Sequence, residues 1–314
     1  MMIPFAGVRI GHATHPEYPT GCTVFLCPAG TYGSVEARGP APGSRELAVL
    51  APDKPDDKEV NAVLLTGGSA FGLAAADGVM RYLSERGVGH PTPIRPVPIV
   101  PAAVVFDLWP GRDFTPDAAM GYAACEAAAG YHGDIAQGNV GVGAGVLVGK
   151  WAGFMHMMKG GFGVASVVEQ GVEVAAAAVV NAVGDVVNAD GSVLAGARDL
   201  AGGWLAAQHP LRFIDENRLS PPGTNTTLVV VATDATLTRN ELARLTHQAH
   251  NGLAIAVRPS HTRHDGDVAF ALSTRRVVAP VGLVGNMAVA AVAEAIRNAV
   301  RFAASWPGVP GLAG

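Results

Sequence analysis

"PPGTNTTLVVVATDA", Pro221 to Ala235, places a Pro-Pro-Gly turn, an asparagine and three threonines directly before a run of valines. The segment "TTLVVVAT" from Thr226 reads as a strand, because β-branched residues suit a pleated backbone. The hydroxyls at its mouth admit three readings. They can be ordinary turn chemistry and β-propensity. Asn225-Thr226-Thr227 can be an N-glycosylation acceptor. Or one hydroxyl can be a nucleophile that attacks its own backbone.

On either side of this stretch, strands alternate with helices. "VRIGHA" and "CTVFLC" read as two short strands within residues 2–35, and residues 36–59, rich in Pro, Asp and Lys, as a surface loop or arm. "NAVLLTGG" is a buried strand running into a glycine turn, followed by a helix from Ser69 to Glu85 with Phe71, Ala74, Val79, Met80 and Leu83 close to one face. "PVPIVPAAVVFDL" is a strand with edge-type prolines. A small-residue helix spans Pro116 to Ala129, with Pro116 in its first turn. "VEVAAAAVVN" is a buried strand, and "VGDVVNADGSVL" a hairpin turning at Asp190-Gly191. Thr238 and Glu241 form a capping box for a helix from about Arg239 to Asn251. "VAFALST" is a further strand, and Asn286 to Ala303 the closing helix. Several strands pair as hairpins, so the pattern predicts an α/β chain of the α+β kind: mixed or antiparallel sheets with helical outer layers, in one domain over residues 1–314. Residues 197–222 are the best linker candidate within it.

Composition narrows the function. A net charge of −4 with no basic stripe speaks against a nucleic-acid surface. Forty glycines and a heavy alanine load point to close backbone packing rather than bulky cores. The three cysteines, Cys22, Cys27 and Cys125, form no C-x-x-C pair and fit a reducing cytoplasm. The N-terminus has no signal-peptide pattern. Apolar runs such as "VEVAAAAVV" are too short or too interrupted to span a bilayer. Without secretion the glycosylation reading of Asn225 loses its premise.

Several motifs almost fit a known chemistry. "GVGAGVLVGKW" resembles a phosphate loop, but the first glycine position is Ala144 and Trp151 stands where Ser or Thr would hold magnesium. "TGGSAFG" approaches a nucleophile elbow, but Phe71 replaces the last glycine, so Ser69 reads as a helix cap. His247 and His250, and His261 and His264 beside Asp265, have ligand-like spacings without a zinc framework, so solvated or hydrogen-bonded histidines are the better reading. No metal and no cofactor are expected.

A hydroxyl at the first residue of a chain has a base within its own residue. The free α-amine titrates near pH 7.7–8.0 when unperturbed, roughly the range in which it can take the hydroxyl's proton. Making such a residue inside a chain requires self-cleavage, and a strained turn at Pro221-Pro222-Gly223 would help. Here "PPGTNTTLVVVATDA" resembles the cleavage segment of the L-aminopeptidase/D-esterase family of autoprocessed N-terminal-nucleophile hydrolases, which includes β-aminopeptidases and nylon-oligomer hydrolases. "GVRIGHA", "PTGCTVFLCPAGTYGSVEARGPAPGSRE", "NAVLLTGGSAFGLAAADGVMRYL", "GNVGVGAGVLVGK", "VVNAVGDVV" and "HDGDVAFALST" resemble its other blocks, in order, over nearly the whole chain. The threonine and the "HDGD" carboxylates look most like the nylon-oligomer branch.

The resemblance implies a four-layer αββα sandwich of the type shared with ornithine acetyltransferases. It implies autocleavage between Asn225 and Thr226 into residues 1–225 and 226–314, and a homo-oligomer of such pairs, a tetramer or larger. Thr226 would be the nucleophile. Asp265 and Asp267 match paired acidic positions that orient it, though their residues alone also read as a solvated Asp-Gly loop. Lys150 matches a site lysine, or is a snorkelling surface lysine. Asn181 matches an oxyanion donor, or is a strand-end turn residue. Phe106 stands at a substrate-facing position where a tyrosine often stands, and it cannot donate a hydrogen bond. The implied activity is hydrolysis of short peptides or other linear amides through an acyl-enzyme. An acyltransferase of the ornithine acetyltransferase type, or an uncleaved non-enzymatic relative, are the alternatives.

Overall fold

The computed structural model describes residues 5–54, 59–109, 114–130, 135–212 and 224–314. Strands β1 (Arg9–Thr14), β2 (Gly21–Leu26), β3 (Tyr32–Ala37), β4 (Ser44–Arg45) and β5 (Ala62–Thr66) precede helix α1 (Ala75–Glu85), strand β6 (Ala102–Val104) and helix α2 (Ala118–Ala129). Then come β7 (Leu147–Val148), β8 (Met158–Lys159), β9 (Phe162–Glu169), β10 (Val172–Asn181), β11 (Asp185–Val187), β12 (Val193–Ala195) and the short helix α3 (Leu205–Gln208). The chain closes with β13 (Thr226–Ala235), α4 (Arg239–Ala256), β14 (Val257–Arg258), β15 (Val268–Val277) and α5 (Val281–Arg301).

Two five-stranded sheets carry the architecture, ordered β1-β2-β5-β6-β4 and β3-β15-β13-β10-β9. Both are mixed: β5 and β6, and β13 and β15, run parallel, and the other pairs antiparallel. The period-2 alternation of strand side chains builds the layers. In β10, Val174, Ala176, Ala178 and Val180 face one core, while Ala175, Ala177 and Val179 face another. The second of these lies between the sheets and includes Phe25, Leu65, Phe162, Leu228 and Phe270. The first joins Val229 and Val231 to Leu242 and Leu253 of α4 and to Val292 and Ile296 of α5. A third packs Val24 and Leu64 against Val79 and Leu83 of α1 and Ala124 and Ala128 of α2. The stack is helix, sheet, sheet, helix. Its central strands are apolar throughout because both faces are buried; each large side chain so buried contributes roughly 1.5–3 kcal/mol.

Glycine and alanine serve close approach, as the composition implies. A Cβ on Gly121 would meet the Ala75 carbonyl oxygen at 1.9 Å, and one on Gly78 the Ala118 oxygen at 1.8 Å, so α1 and α2 touch backbone to backbone. The capping box of α4 is present, with Thr238 and Glu241 each bonding the other's backbone amide.

Other expectations are corrected. Ser69 is not a cap: residues Ser69–Ala74 form a 3-10 turn entered through Gly68, and Ser69 itself has a left-handed φ of 53°. Helix α2 starts at Ala118, so Pro116 lies ahead of its first turn, and Asp117 is the cap, accepting from the Met120 amide at 2.9 Å. Helix α5 begins at Val281, ahead of Asn286, and α4 continues to Ala256. The proline-rich segment yields only the short β6, which lies inside its sheet between β5 and β4. Strands β3 and β9 escape the sequence pattern, and β3 and β4 enter the stretch read as a loop. Helix α5, at 21 residues and a mean hydropathy of 1.2, is long and apolar enough to cross a membrane by composition; in the fold 67% of that window is buried, as a core helix.

The proposed linker is also corrected where it is described. Within residues 197–212, Ala197, Leu205 and Ala206 pack against Trp151 and Val183, with Ala197 and Ala206 buried. Asp185 organises this corner. It is fully buried and accepts from Trp151 Nε1 (2.8 Å), the Ala197 amide (2.8 Å) and Arg212 Nε (2.6 Å). Residues 213–223, including the Pro221-Pro222-Gly223 turn, lie outside the described residues. Asp185→Ala would leave the Trp151 and Ala197 donors without their buried acceptor and take the carboxylate partner from a part-buried Arg212, so we expect a loss of about 2–4 kcal/mol in denaturant unfolding of the intact chain. A loss under about 1 kcal/mol would mean that the corner is held by packing alone.

Candidate active site

Sheet register brings three strand ends together. Strands β13 and β15 are parallel, so both begin at the same edge, and antiparallel β10 ends there. Thr226 opens β13 directly opposite Asn181, the last residue of β10. The parallel pairing continues upstream as a bridge between Asn225 and Asp265, placing the "HDGD" segment against the "TNT" segment. Gly266 donates its amide to the Asn225 carbonyl oxygen at 2.8 Å. The Thr226 hydroxyl reaches the same oxygen at 2.5 Å. Only glycine fits at position 266, since a Cβ there would lie 2.7 Å from the Ala41 carbonyl oxygen and 3.0 Å from Thr226 Oγ1.

Lys150 enters from a 3-10 turn after β7, started by left-handed Gly149 and fixed by amide bonds from Gly149 to Gly184 and from Trp151 to Val183. It is buried, not snorkelling. Its Nζ donates to Asn181 Oδ1 at 2.7 Å and to the Thr224 carbonyl at 3.0 Å. Asn181 is equally enclosed. Its Nδ2 donates to the Thr224 carbonyl (3.1 Å) and to the Phe106 carbonyl (3.0 Å), and Leu147 donates to its Oδ1 (3.1 Å). In the intact chain Lys150 and Asn181 therefore converge on the carbonyl two residues before Thr226. Phe106 contributes a backbone acceptor.

Asp265 and Asp267 are buried, so the solvated-loop alternative does not describe them. Asp265 Oδ2 accepts from the Thr262 amide (2.9 Å) and hydroxyl (2.6 Å). Asp267 Oδ1 accepts from the Thr227 amide at 2.6 Å, and its Oδ2 from His261. Burial, then the neighbouring Asp267, pushes the Asp265 carboxyl up to about 6, against the pull of Thr262 and Lys150. Burial brings Lys150 down to about 7, with Asp265 and Asp107 opposing. An amine and a carboxyl that both titrate near neutrality are suited to proton transfer.

The sequence reading brought together Thr226, Asn225, Asn181, Lys150, Asp265 and Asp267, and the structure sets all six at this one sheet edge. It passed over Asp107 and Thr262, and it noted His261 only as a histidine with ligand-like spacing, not as the partner of Asp267. Asp107, buried and pushed up to about 6 by that burial, accepts the Gly68 amide at 2.6 Å and fixes the glycine turn beside Phe106. Its signal was a carboxylate in the apolar stretch read as a strand, three residues past the end of β6. Three of the four histidines are otherwise engaged: His247 lies 3.4 Å from Glu36, His250 Nε2 lies 3.1 Å from the Glu36 carbonyl, and His261 binds Asp267, while the Nδ1 of His264 has no hydrogen-bond partner among the described residues. Among the described residues no group of three His, Cys, Asp or Glu is arranged to hold a metal.

Comparison with known proteins gives one consistent answer. A model of peptidase family S58 matches residues 3–313. The chain is 41% identical to an uncharacterised aminopeptidase of Mycobacterium leprae, over 98% of this chain and 92% of that protein. It is 33% identical to a 6-aminohexanoate-oligomer endohydrolase of Paenarthrobacter ureafaciens, over 88% of this chain and 75% of that one. Among solved structures, a Burkholderia β-aminopeptidase superposes with a TM-score of 0.68 at 22% identity, covering 99% of this chain and 89% of that one. An L-aminopeptidase D-Ala-esterase/amidase from Ochrobactrum anthropi, described as a variant of the Ntn-hydrolase fold, gives 0.68 at 21% identity, covering 98% and 90%.

Proposed function

The chain belongs to peptidase family S58, and on that footing we propose that it is an N-terminal-nucleophile amide hydrolase whose nucleophile, Thr226, is freed by cleavage of the Asn225–Thr226 bond. The observation that carries this reading is the Thr226 hydroxyl 2.5 Å from a carbonyl oxygen that the Gly266 amide already holds.

Self-cleavage follows from that placement. The hydroxyl gives up its proton as Oγ1 bonds to the Asn225 carbonyl carbon. The carbonyl electrons move onto oxygen, where the Gly266 N–H stabilises them. Collapse breaks the C–N bond, nitrogen takes a proton, and an ester joins Asn225 to Thr226. Water hydrolyses the ester, leaving the Asn225 carboxylate and the Thr226 α-amine. No α-amine exists before this step, so another base must serve, and Lys150 is our candidate. Once the Thr224–Asn225 end withdraws, Lys150 Nζ and Asn181 Nδ2 lose the Thr224 carbonyl as partner and can receive a substrate carbonyl. The new amine, with Asp265 and Asp267 beside it, then activates Thr226 for acyl transfer from an amide to threonine and on to water.

The substrate class we propose is short linear amides: a peptide N-terminus, a β-peptide, or an oligomer of an ω-amino acid. The names of the similar proteins support this range. Phe106 gives no side-chain donor, so oxyanion stabilisation rests on Asn181, Lys150 and backbone amides. We further propose a homo-oligomer of cleaved pairs in the cytoplasm. Exposed Phe71, Ile94 and Met155 offer apolar contact surface for that assembly, and the three free cysteines suit a reducing compartment.

Denaturing electrophoresis and intact-mass spectrometry of purified protein test this reading. Two chains are expected, one beginning at Thr226. A single intact chain after long incubation would overturn it. If an added amine acceptor draws more transfer product than hydrolysis product, the enzyme is an acyltransferase instead.

A further inference from the structure

We propose that His261 is a positioning residue for the Thr226 reaction, holding Asp267 so that Asp267 can fix the start of β13. The inference rests on Thr226 being the nucleophile.

Asp267 works as a two-ended bracket. One oxygen, Oδ1, takes the Thr227 amide at 2.6 Å, the residue after the proposed nucleophile. The other, Oδ2, takes two donors from His261, the backbone amide at 3.2 Å and ring Nδ1 at 2.8 Å. A carboxylate accepts only, so the ring bears its proton on Nδ1 in this contact. His261 Nε2 is buried without a partner among the described residues, so no competing bond there turns the ring away. His250 packs edge-on against the ring, with centroids 4.9 Å apart, and is itself tied to the Glu36 carbonyl on the end of β3. The ring is thus backed by helix α4 and directs its donor toward the residue that precedes β15.

The backbone supports the same assignment. His261 has a left-handed φ of 54°, a conformation that glycine or asparagine adopts more easily. Histidine adopts that conformation more readily than most side chains but less readily than glycine, and its surroundings hold it there. Here the surroundings are Asp267, His250 and the turn around Thr262. No other ring nitrogen bonds either carboxylate of the "HDGD" segment among the described residues.

Three variants separate the donor from the backbone. His261→Gly removes the ring and relieves the left-handed strain. His261→Asn keeps a donor near the Nδ1 position and tolerates the backbone. His261→Gln places its amide too far out to reach Oδ2 in the same way. Each is purified beside wild type, and self-cleavage is followed by intact mass over time. A hydrogen bond to a charged group typically carries tenfold or more, so His261→Gly and His261→Gln are expected to cleave about tenfold or more slowly, and His261→Asn within about threefold of wild type. If His261→Gly matches wild type, or if His261→Asn is as slow as His261→Gln, the proposal fails. Should His261→Gly not fold, the Asn and Gln pair decides alone. A wild-type chain that never cleaves overturns the nucleophile reading and this inference together. A cleaving wild type with an equally fast His261→Gln overturns this inference only.

Discussion

Thr226→Ala is expected to remain one 314-residue chain and to lose amide hydrolysis by on the order of a million-fold, the scale seen when a catalytic nucleophile is removed. Two effects combine. The variant has no hydroxyl to attack the Asn225 carbonyl, so the α-amine never forms. It also has no oxygen to carry the acyl group from a substrate. The fold should survive, because β13 keeps its ladders to β10 and β15, and among the described residues the hydroxyl bonds only the neighbouring carbonyl. Far-UV circular dichroism checks the fold, intact mass the cleavage, and product release from a short amide the turnover. Thr226→Ser keeps the oxygen and should still cleave. A Thr226→Ala chain that splits at the Asn225–Thr226 bond would show that another group attacks there.

Much of this architecture was legible because its strands obey simple burial rules. "VEVAAAAVVN" and "TTLVVVAT" are apolar on both faces, and both are central strands of a four-layer stack. Asp190-Gly191 turns its hairpin between β11 and β12, and Gly191 takes the left-handed φ of 85° that the turn needs. Strand β3 was hidden for the opposite reason. "YGSVEA" has glycine, serine and glutamate, and tertiary pairing with β15 makes it a strand where propensity does not. Ser69 was misread because a serine after two glycines suits a cap, whereas here the Gly68 and Ser69 amides go to Asp107 and to the Val105 carbonyl. The site residues were found as separate motifs. What motif reading cannot supply is register. Only the parallel pairing of β13 with β15 explains why "HDGD" lies against "TNT", and only that contact reveals Gly266 at the carbonyl and His261 behind Asp267. Residue 185 makes the same point: an aspartate in a strand of a hairpin gives no hint that it holds three donors from the turn after β7 and from residues 197–212.

Lys150→Arg is expected to block self-cleavage as completely as Lys150→Met, although it keeps the charge. The argument turns on hydrogen-bond count and sign. Burial draws both Lys159 and Lys150 down to about 7, but Lys159 donates to three backbone carbonyls, those of Gly143, Val146 and Gly160, a set that needs every proton of an ammonium. Lys150 has two acceptors, Asn181 Oδ1 and the Thr224 carbonyl, so a neutral amine satisfies both and keeps its lone pair. Burial draws its titration from 10.5 down to about 7, making that neutral form available at physiological pH. If the lone pair takes the Thr226 proton, the cleavage rate should fall roughly tenfold per unit below pH 7 and level off above it, and loss of the base should slow cleavage by about 10²–10⁴-fold. Arginine stays protonated at any of these pH values and cannot serve. The same shift has a stability signature. The folded lysine has lost its proton above about 7 while the unfolded one holds it to 10.5, so between those limits the unfolded state binds more protons and the intact fold gains stability as pH rises. Lys150→Met should remove that part of the gain, measured as the difference in denaturant midpoint between pH 7 and pH 9. A Lys150→Arg chain that cleaves at the wild-type rate would assign the proton to another group. Asp265, which lies within the electrostatic reach of Lys150 and titrates at about 6, would then be the next group to replace.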